Sequence, residues 1–212
     1  MLLLGFTLAS NPPALEPKLI VYFLDVEQGN CILIVSPTGT AALIDAGTGS
    51  QGNARSDTSP VEFIRAEQAR TAFQLRYVVA THYDADHIGK LDQVLLAEPH
   101  PVTDDYRLYS RGGGWVKTSA PSDAYQFIES VGVDHRKTIA PSDVIDLGAG
   151  VTLTCYAADG SYWDGAGVQA VSLIYRREWA LRCAHPDVSG CQDVVWGRSR
   201  ERRRAGFGRA SS

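Results

Sequence analysis

A chain of 212 residues with 44% hydrophobic and 21% charged residues is long and apolar enough to bury a real core as one soluble globular domain, which excludes a small disulfide scaffold. Lys plus Arg number 20 against 24 Asp plus Glu, and the net charge of -4 exerts no global pull toward nucleic acid or an anionic membrane. A polyanionic substrate would have to be held locally, by metal or by a patch.

The chain opens on "MLLLGFTLASNPPA", an apolar run too short to span a bilayer. It is similar to the middle and end of a secretory signal but lacks the basic leader. Two readings stand: an export signal clipped by a misplaced start, or an N-terminal extension with a chance apolar run. The compartment, cytoplasmic or exported, follows that choice, and residues 1–17 are set apart from the fold in both.

Lys18 to Asp25, "KLIVYFLD", and Asn30 to Val35, "NCILIV", are β-branched and aromatic runs joined by a tight "VEQG" connection. A third run, Ala41 to Asp45, follows the turn "SPTGT", so the three predict an antiparallel meander. Gly47 to Ser59 is rich in Gly, Ser, Thr and Asn and predicts a loop. Val61, Ile64, Ala69 and Phe73 then carry helical spacing over Val61 to Phe73.

Leu75 to Thr81, "LRYVVAT", predicts the next strand, and Ile88, Leu91, Val94 and Leu95 predict a helix over Ile88 to Leu96. Asp123 to Val131 predicts another helix. "KTIAPSDVIDLGAGVTLTCYAA" predicts two or three strands with Gly-rich turns. This order of elements suggests mixed sheets flanked by helices, an α/β class.

Four cysteines are far apart and lack the paired spacing of a zinc knuckle or a redox dithiol. Cys31 and Cys155 sit in apolar strand patterns and read as core. Cys183 and Cys191 are close enough in sequence to bridge in an oxidising compartment, which the sequence does not decide.

Between the strand ending at Thr81 and the helix beginning at Ile88 lies "HYDADH". Asp-rich turns are often only solvated connections, because Asp hydrogen-bonds its own backbone. That reading covers the aspartates but not His82 and His87, nor the position of all of them at the end of a buried strand, where α/β folds collect ligands. On an extended backbone His82, Asp84 and Asp86 would point the same way, with Tyr83 and Ala85 as spacers and a tight turn bringing His87 round. Nitrogen and oxygen donors without thiolates disfavour structural zinc and fit a catalytic divalent site with open positions. His100, between two prolines, and His135 read as surface loop residues, and Trp115, Tyr125 and Trp163 as core or rim packing that could line a groove.

"THYDADHIGKL" resembles the His-x-His-x-Asp-His motif of the metallo-β-lactamase superfamily, in the His-x-Asp-x-Asp-His form of the hydrolase domain of ComEC-type DNA-uptake proteins and their stand-alone relatives. "VYFLDVEQGNCILIVSPTGTAALIDAG" resembles that subgroup's opening segment, and "RLYSRGGG" and "DVIDLGAGVTLTC" its later strands. The resemblance runs from about Leu19 to Tyr175 and implies an αββα sandwich over residues 18–175. It implies two divalent ions, zinc or manganese, with His82 and Asp84 on one and Asp86 and His87 on the second. Asp86 carries the catalytic assignment as well, and Asp45, ending "LID", matches a supporting aspartate that holds ligand imidazoles or the turn. Such an ion pair would acidify a bound water and clamp the oxygens of a phosphodiester, so a nuclease or phosphodiesterase acting on nucleic acid is implied. Another ester as substrate, or a non-catalytic binding remnant, are the alternatives.

Three departures stand against the family pattern. "EQGN" replaces Gly-Gln-Gly-Asp, so Glu27 would be strained by about 1 kcal/mol or more if that position needs positive φ. The family's later Thr-Gly-Asp aspartate and its His-His-Gly-Ser histidine are missing. From Arg176 to Ser212 the chain is dense in Arg and poor in periodic apolar residues. It reads as a basic arm, as solvated disorder, or, the reading adopted, as a shifted frame that leaves the sandwich incomplete in its C-terminal half; His185 and Asp187 are the substitutes it offers for the missing ligands.

Overall fold

The computed structural model describes residues 18–48, 59–112, 122–170 and 180–184. Three short strands come first, β1 (Ile20–Phe23), β2 (Ile32–Val35) and β3 (Thr40–Ile44), and they pair as the expected antiparallel meander. Helix α1 (Pro60–Thr71) then returns the chain to β4 (Gln74–Ala80), parallel to β3. The helical turns α2 (Ala85–Ile88) and α3 (Leu91–Leu96) lead to β5 (Val102–Ser110), and α4 (Asp123–Ser130) leads to β6 (Arg136–Thr138), each strand again parallel to the one before. These six strands form one sheet in chain order.

A second, antiparallel sheet is built from β7 (Val144–Gly148), β8 (Val151–Ala158), β9 (Ser161–Trp163), β10 (Val168–Ala170) and β11 (Ala180–Ala184). β7 and β9 share one edge of β8, and β11 lines the other. β11 lies inside the segment read from sequence as unable to cover the fold, so backbone pairing there caps an edge that hydrophobic pattern did not reveal. A ladder needs backbone groups and not an apolar stripe. The N-terminal residues 1–17, Val171 to Tyr175, His185, Asp187, Cys191 and Trp115 lie outside the described residues.

Two cores follow from the two-residue period of the central strands. In β2, Leu33 and Val35 face the helices while Ile32 and Ile34 face the second sheet; in β3, Leu43 and Ile44 divide the same way. Val61 and Ile64 of α1, Leu91, Val94 and Leu95 of α3, and Tyr125 and Ile128 of α4 close the first core. Ile145, Leu147, Val151, Leu153 and Cys155 close the second. Among the described residues the layers are helix, sheet, sheet, three of the four layers of the expected αββα sandwich, and the helices lie on one side.

β4 departs from simple alternation. Leu75 and Tyr77, two apart, face different cores, because the ladders to β3 and β5 both shift register in this stretch. Such a bulge re-aims every later side chain of the strand. It is why Val78 and Ala80 turn to the helices and Val79 to the second sheet, and therefore how the strand delivers its last residues to the site.

The helix predicted over Ile88 to Leu96 is broken. α2 ends at Ile88 and α3 starts at Leu91, with Gly89 and Lys90 between them. Apolar spacing persists through the break because both pieces bury the same face, so periodicity alone did not show it.

Candidate metal centre

Asp45 leaves the carboxyl end of β3, and Thr81 and His82 leave that of β4, the adjacent parallel strand. Ligand sites in α/β folds form at such strand ends. Asp45 takes a left-handed φ of 57° and is fully buried. Asp tolerates that region better than most residues, and the surroundings hold it there. Its backbone N–H donates to Val79 O at 2.9 Å, and the N–H of Ala46 donates to His87 O at 2.7 Å.

The Asp45 carboxylate accepts three hydrogen bonds: Thr81 N at 2.8 Å to Oδ1, and Thr81 Oγ1 at 2.6 Å and His87 Nδ1 at 2.7 Å to Oδ2. A hydroxyl has one proton, and Thr81 spends it on Asp45. Its oxygen, 3.1 Å from His82 Nδ1, is therefore left to accept from that ring nitrogen. Both imidazoles are thus protonated at Nδ1, one directly and one through Thr81, and both keep the Nε2 lone pair free. A single buried carboxylate sets two tautomers, the arrangement by which metal-ligating histidines are oriented.

His82 Nε2 lies 3.9 Å from Asp84 Oδ2, and His87 Nε2 lies 3.9 Å from Asp86 Oδ2. These distances are too long for hydrogen bonds. They match ligand atoms on one ion, which at about 2.0–2.2 Å from the metal stand roughly 3–4 Å apart. Ligand atoms of His82, Asp84 and Asp86 all lie within 4.8 Å of one another. The two imidazole centroids are 3.7 Å apart, so the sites of the two pairs adjoin. Asp84 occupies the N-cap position of α2, yet its side chain makes no capping bond. Asp45 is near enough to both imidazoles to be grouped with them, and the three hydrogen bonds its oxygens already accept suit it to orienting the rings.

Burial holds the His82 imidazole below its usual range, the neighbouring His87 adds to this, and Asp45, Asp84 and Asp86 oppose it. A neutral ring is the form that binds a cation. The donor set, nitrogen and oxygen with tautomers fixed, fits a divalent ion.

His82, Asp84, Asp86 and His87 are brought together as the sequence reading expected, but by a different backbone. Asp84 is extended, but Asp86 and His87 sit on the helical turn α2, stabilised by His87 N to Asp84 O at 2.9 Å. Expected strain at Glu27 is present, with φ at 63°. Gly29, at φ 98°, carries the chain against α2 so closely that a Cβ there would overlap the Asp86 carbonyl oxygen. His100 pairs with Glu98 at 2.7 Å. His135 is not a plain surface residue: it stacks on Tyr106 at 4.4 Å and 16°, at the amino end of β6, because that ring shields it from water. Tyr125 packs edge-on against Tyr83, and Trp163 lies tilted against Tyr156. Cys31 and Cys155 are buried, and burial pushes each thiol up to about 12.

Thr81 was missed, since a Thr at a strand end is unremarkable until the fold sets it beside Asp45.

The model of the metallo-beta-lactamase superfamily matches residues 24–168, and the chain belongs to that superfamily. No curated protein matches it. Among solved structures it is similar to the metallo-beta-lactamase fold protein YhfI from Bacillus subtilis, at 19% identity and TM-score 0.41, over 74% of this chain and 51% of that one. Zn(2+)-bound PqqB from Methylobacterium extorquens is similar at 18% identity and TM-score 0.40, over 74% and 49%. A beta-lactamase domain protein from Burkholderia ambifaria follows at 14% and 0.41, over 82% and 53%. The chain spans about half the length of these three structures. No helix among the described residues is long and apolar enough to cross a membrane.

Proposed function

We propose that this chain is a metal-dependent phosphodiesterase of its superfamily, of the ComEC-like kind, which acts on nucleic acid through two divalent ions. The observation that carries the reading is the pair of imidazoles whose Nδ1 protons are committed through Asp45 and Thr81, leaving both Nε2 atoms beside carboxylates at 3.9 Å. His82 and Asp84 would hold one ion, and Asp86 and His87 the other. Bound divalent ions supply Lewis-acid polarisation and a water acidified toward neutral pH.

What the protein itself contributes is orientation. Asp45 keeps both rings from rotating and fixes the Nδ1–H tautomer that turns each Nε2 lone pair outward, and β3 and β4 hold Asp45 and Thr81 in register. Asp86, whose backbone packs against the loop at Gly29, takes the catalytic assignment from the resemblance to the family. Asp84 in place of a second histidine makes its pair harder and more anionic, which favours manganese or zinc and an oxygen-rich substrate such as a phosphodiester.

The test is metal stoichiometry by elemental analysis together with hydrolysis of bis(4-nitrophenyl) phosphate, single-stranded DNA and a carboxylic ester. Two tightly held ions with phosphodiester cleavage support the reading. Turnover of the carboxylic ester alone would move the substrate class. One weakly held ion with no turnover would sink it and leave a metal-binding remnant.

A further inference from the structure

We propose that Arg111 is a positioning residue for the metal turn: fixed to Asp159 of the second sheet and laid on the Tyr83 ring, it sets how His82 and Asp84 stand relative to one another. Arg111 follows β5, next to the strand that delivers His82. Its side chain is only 5% exposed, and its Nη1 donates to Asp159 Oδ1 at 2.9 Å. Its Cζ lies 4.8 Å from the centroid of Tyr83, the spacer between the two ligands.

Tyr83 is gripped from three directions. The guanidinium covers its face, the Tyr125 ring meets it edge-on at 4.8 Å and 71°, and its hydroxyl donates to Gly112 O at 3.1 Å. Fixing the Tyr83 side chain fixes its Cα and the two peptide units that lead to His82 and Asp84. Gly112 has a φ of 66°, and a Cβ there would sit 2.7 Å from Thr138 Cγ2, so the chain just beyond Arg111 is tied to the end of β6 as well.

A buried guanidinium is a costly way to gain stability, since an apolar residue of like volume does as well or better. Only the guanidinium of this pair is buried, Asp159 being half exposed, so the pair adds little stability and its use is to hold one arrangement. Here the pair joins the turn between β8 and β9 to the end of β5, and its flat face rests on the residue between two ligands. Low exposure and the bond to Asp159 argue against Arg111 binding substrate itself. Lys keeps the charge but not the planar stack, so it separates the two contributions.

The proposal uses the metal reading in only one arm of its test. In the metal-free full chain, ring 15N–1H correlations report His82 and His87; in parallel, cobalt(II) titration reports affinity and the visible spectrum of the bound ion. Arg111→Lys and Tyr83→Leu should each shift the His82 ring signals and weaken cobalt binding roughly 10- to 100-fold, the usual effect of losing a ligand's support. The double variant should be no worse than either alone, while Tyr83→Phe, which keeps the ring, should stay within a few-fold of the unsubstituted chain. Asp159→Asn covers the case in which Arg111→Lys does not fold, because Asp159 is half exposed and Asn tolerates its φ of 43°. It should move the same signals in the same direction. Loss of thermal stability with His82 signals and cobalt spectrum unchanged would reduce Arg111 to a structural strut and overturn the proposal. If the unsubstituted chain takes up no cobalt, the metal reading falls, and the metal-free ring signals alone decide on Arg111.

Discussion

Glu27 holds a φ of 63° and Gly29 one of 98° in the loop between β1 and β2, and the two positions carry opposite expectations. A side chain in the left-handed region costs about 1–2 kcal/mol, part of which glycine's greater freedom in the unfolded chain takes back. Glu27→Gly should therefore raise stability by about 0.5–1 kcal/mol in urea unfolding; no rise would mean that the Glu27 side chain offsets its own strain. Gly29→Ala should do the reverse, and should also displace Asp86 and lower metal affinity. Among the ligands, His82→Ala or Asp86→Ala should remove most bound metal, and Asp45→Ala should weaken it roughly 10- to 100-fold. His100→Ala and His135→Ala should leave metal content unchanged, since one pairs with Glu98 and the other stacks on Tyr106. Equal loss in His135→Ala and His82→Ala would place the site elsewhere.

Helix α1 is anchored to β1 by a half-buried cluster. Tyr22 Oη donates to Glu67 Oε2 at 2.8 Å, Arg70 Nη2 donates to the same oxygen at 2.6 Å, and Tyr22 meets Phe63 edge-on at 5.3 Å. Arg70 holds the Glu67 carboxyl below the usual carboxylate range; burial opposes it, and the Tyr22 hydrogen bond adds a smaller lowering. A carboxylate whose folded value is lowered contributes stability that is fully present above its unfolded value and is lost as pH falls through the folded one. Glu67→Gln should thus lower stability at pH 7 by under about 1 kcal/mol, the range of solvent-screened pairs, and the gap should close as the medium is acidified toward pH 3 (about 1.5 units below the ordinary carboxylate value). A gap that widens in acid would reverse the assignment. At the same scale, the break between α2 and α3 frees Asp86 and His87 from a continuous helix, so their side chains answer to β4 and the Gly29 loop.

The two sheets are joined by polar as well as apolar contacts. Ser36 Oγ donates to Leu147 O at 2.6 Å and Thr38 Oγ1 to the same carbonyl at 3.0 Å, which ties the turn after β2 to β7. Because the two hydroxyls share one acceptor, Ser36→Ala alone should cost only about 1 kcal/mol. With Thr38→Val added, the buried carbonyl loses both partners, and the double variant should exceed the sum of the singles by roughly 1 kcal/mol in chemical unfolding. Strict additivity would show that the carbonyl finds another donor. This join and the pair between Arg111 and Asp159 both let the second sheet act on the ends of the first.

Element type was legible wherever burial repeats at a regular interval. The meander, α1, β4, α4 and the strands around the "GAG" turn were read within a few residues of where they lie, because apolar side chains at period 2 or 3.6 follow directly from which face is dry. The four candidate ligands were legible for a different reason: they fall within six consecutive positions, so proximity needed no fold to create it. The bulge in β4, the break after Ile88 and the strand Ala180–Ala184 were not, since each depends on backbone pairing with a distant partner and leaves no mark in apolar spacing. Nor were Thr81, Arg111 and the double duty of Asp45. Asp45 stands 36 residues from Thr81 and 42 from His87, and Arg111 stands 48 from Asp159. The sequence alone determined which atoms could bind a metal; only the parallel pairing of β3 and β4 decided which protons those atoms carry and which way they point.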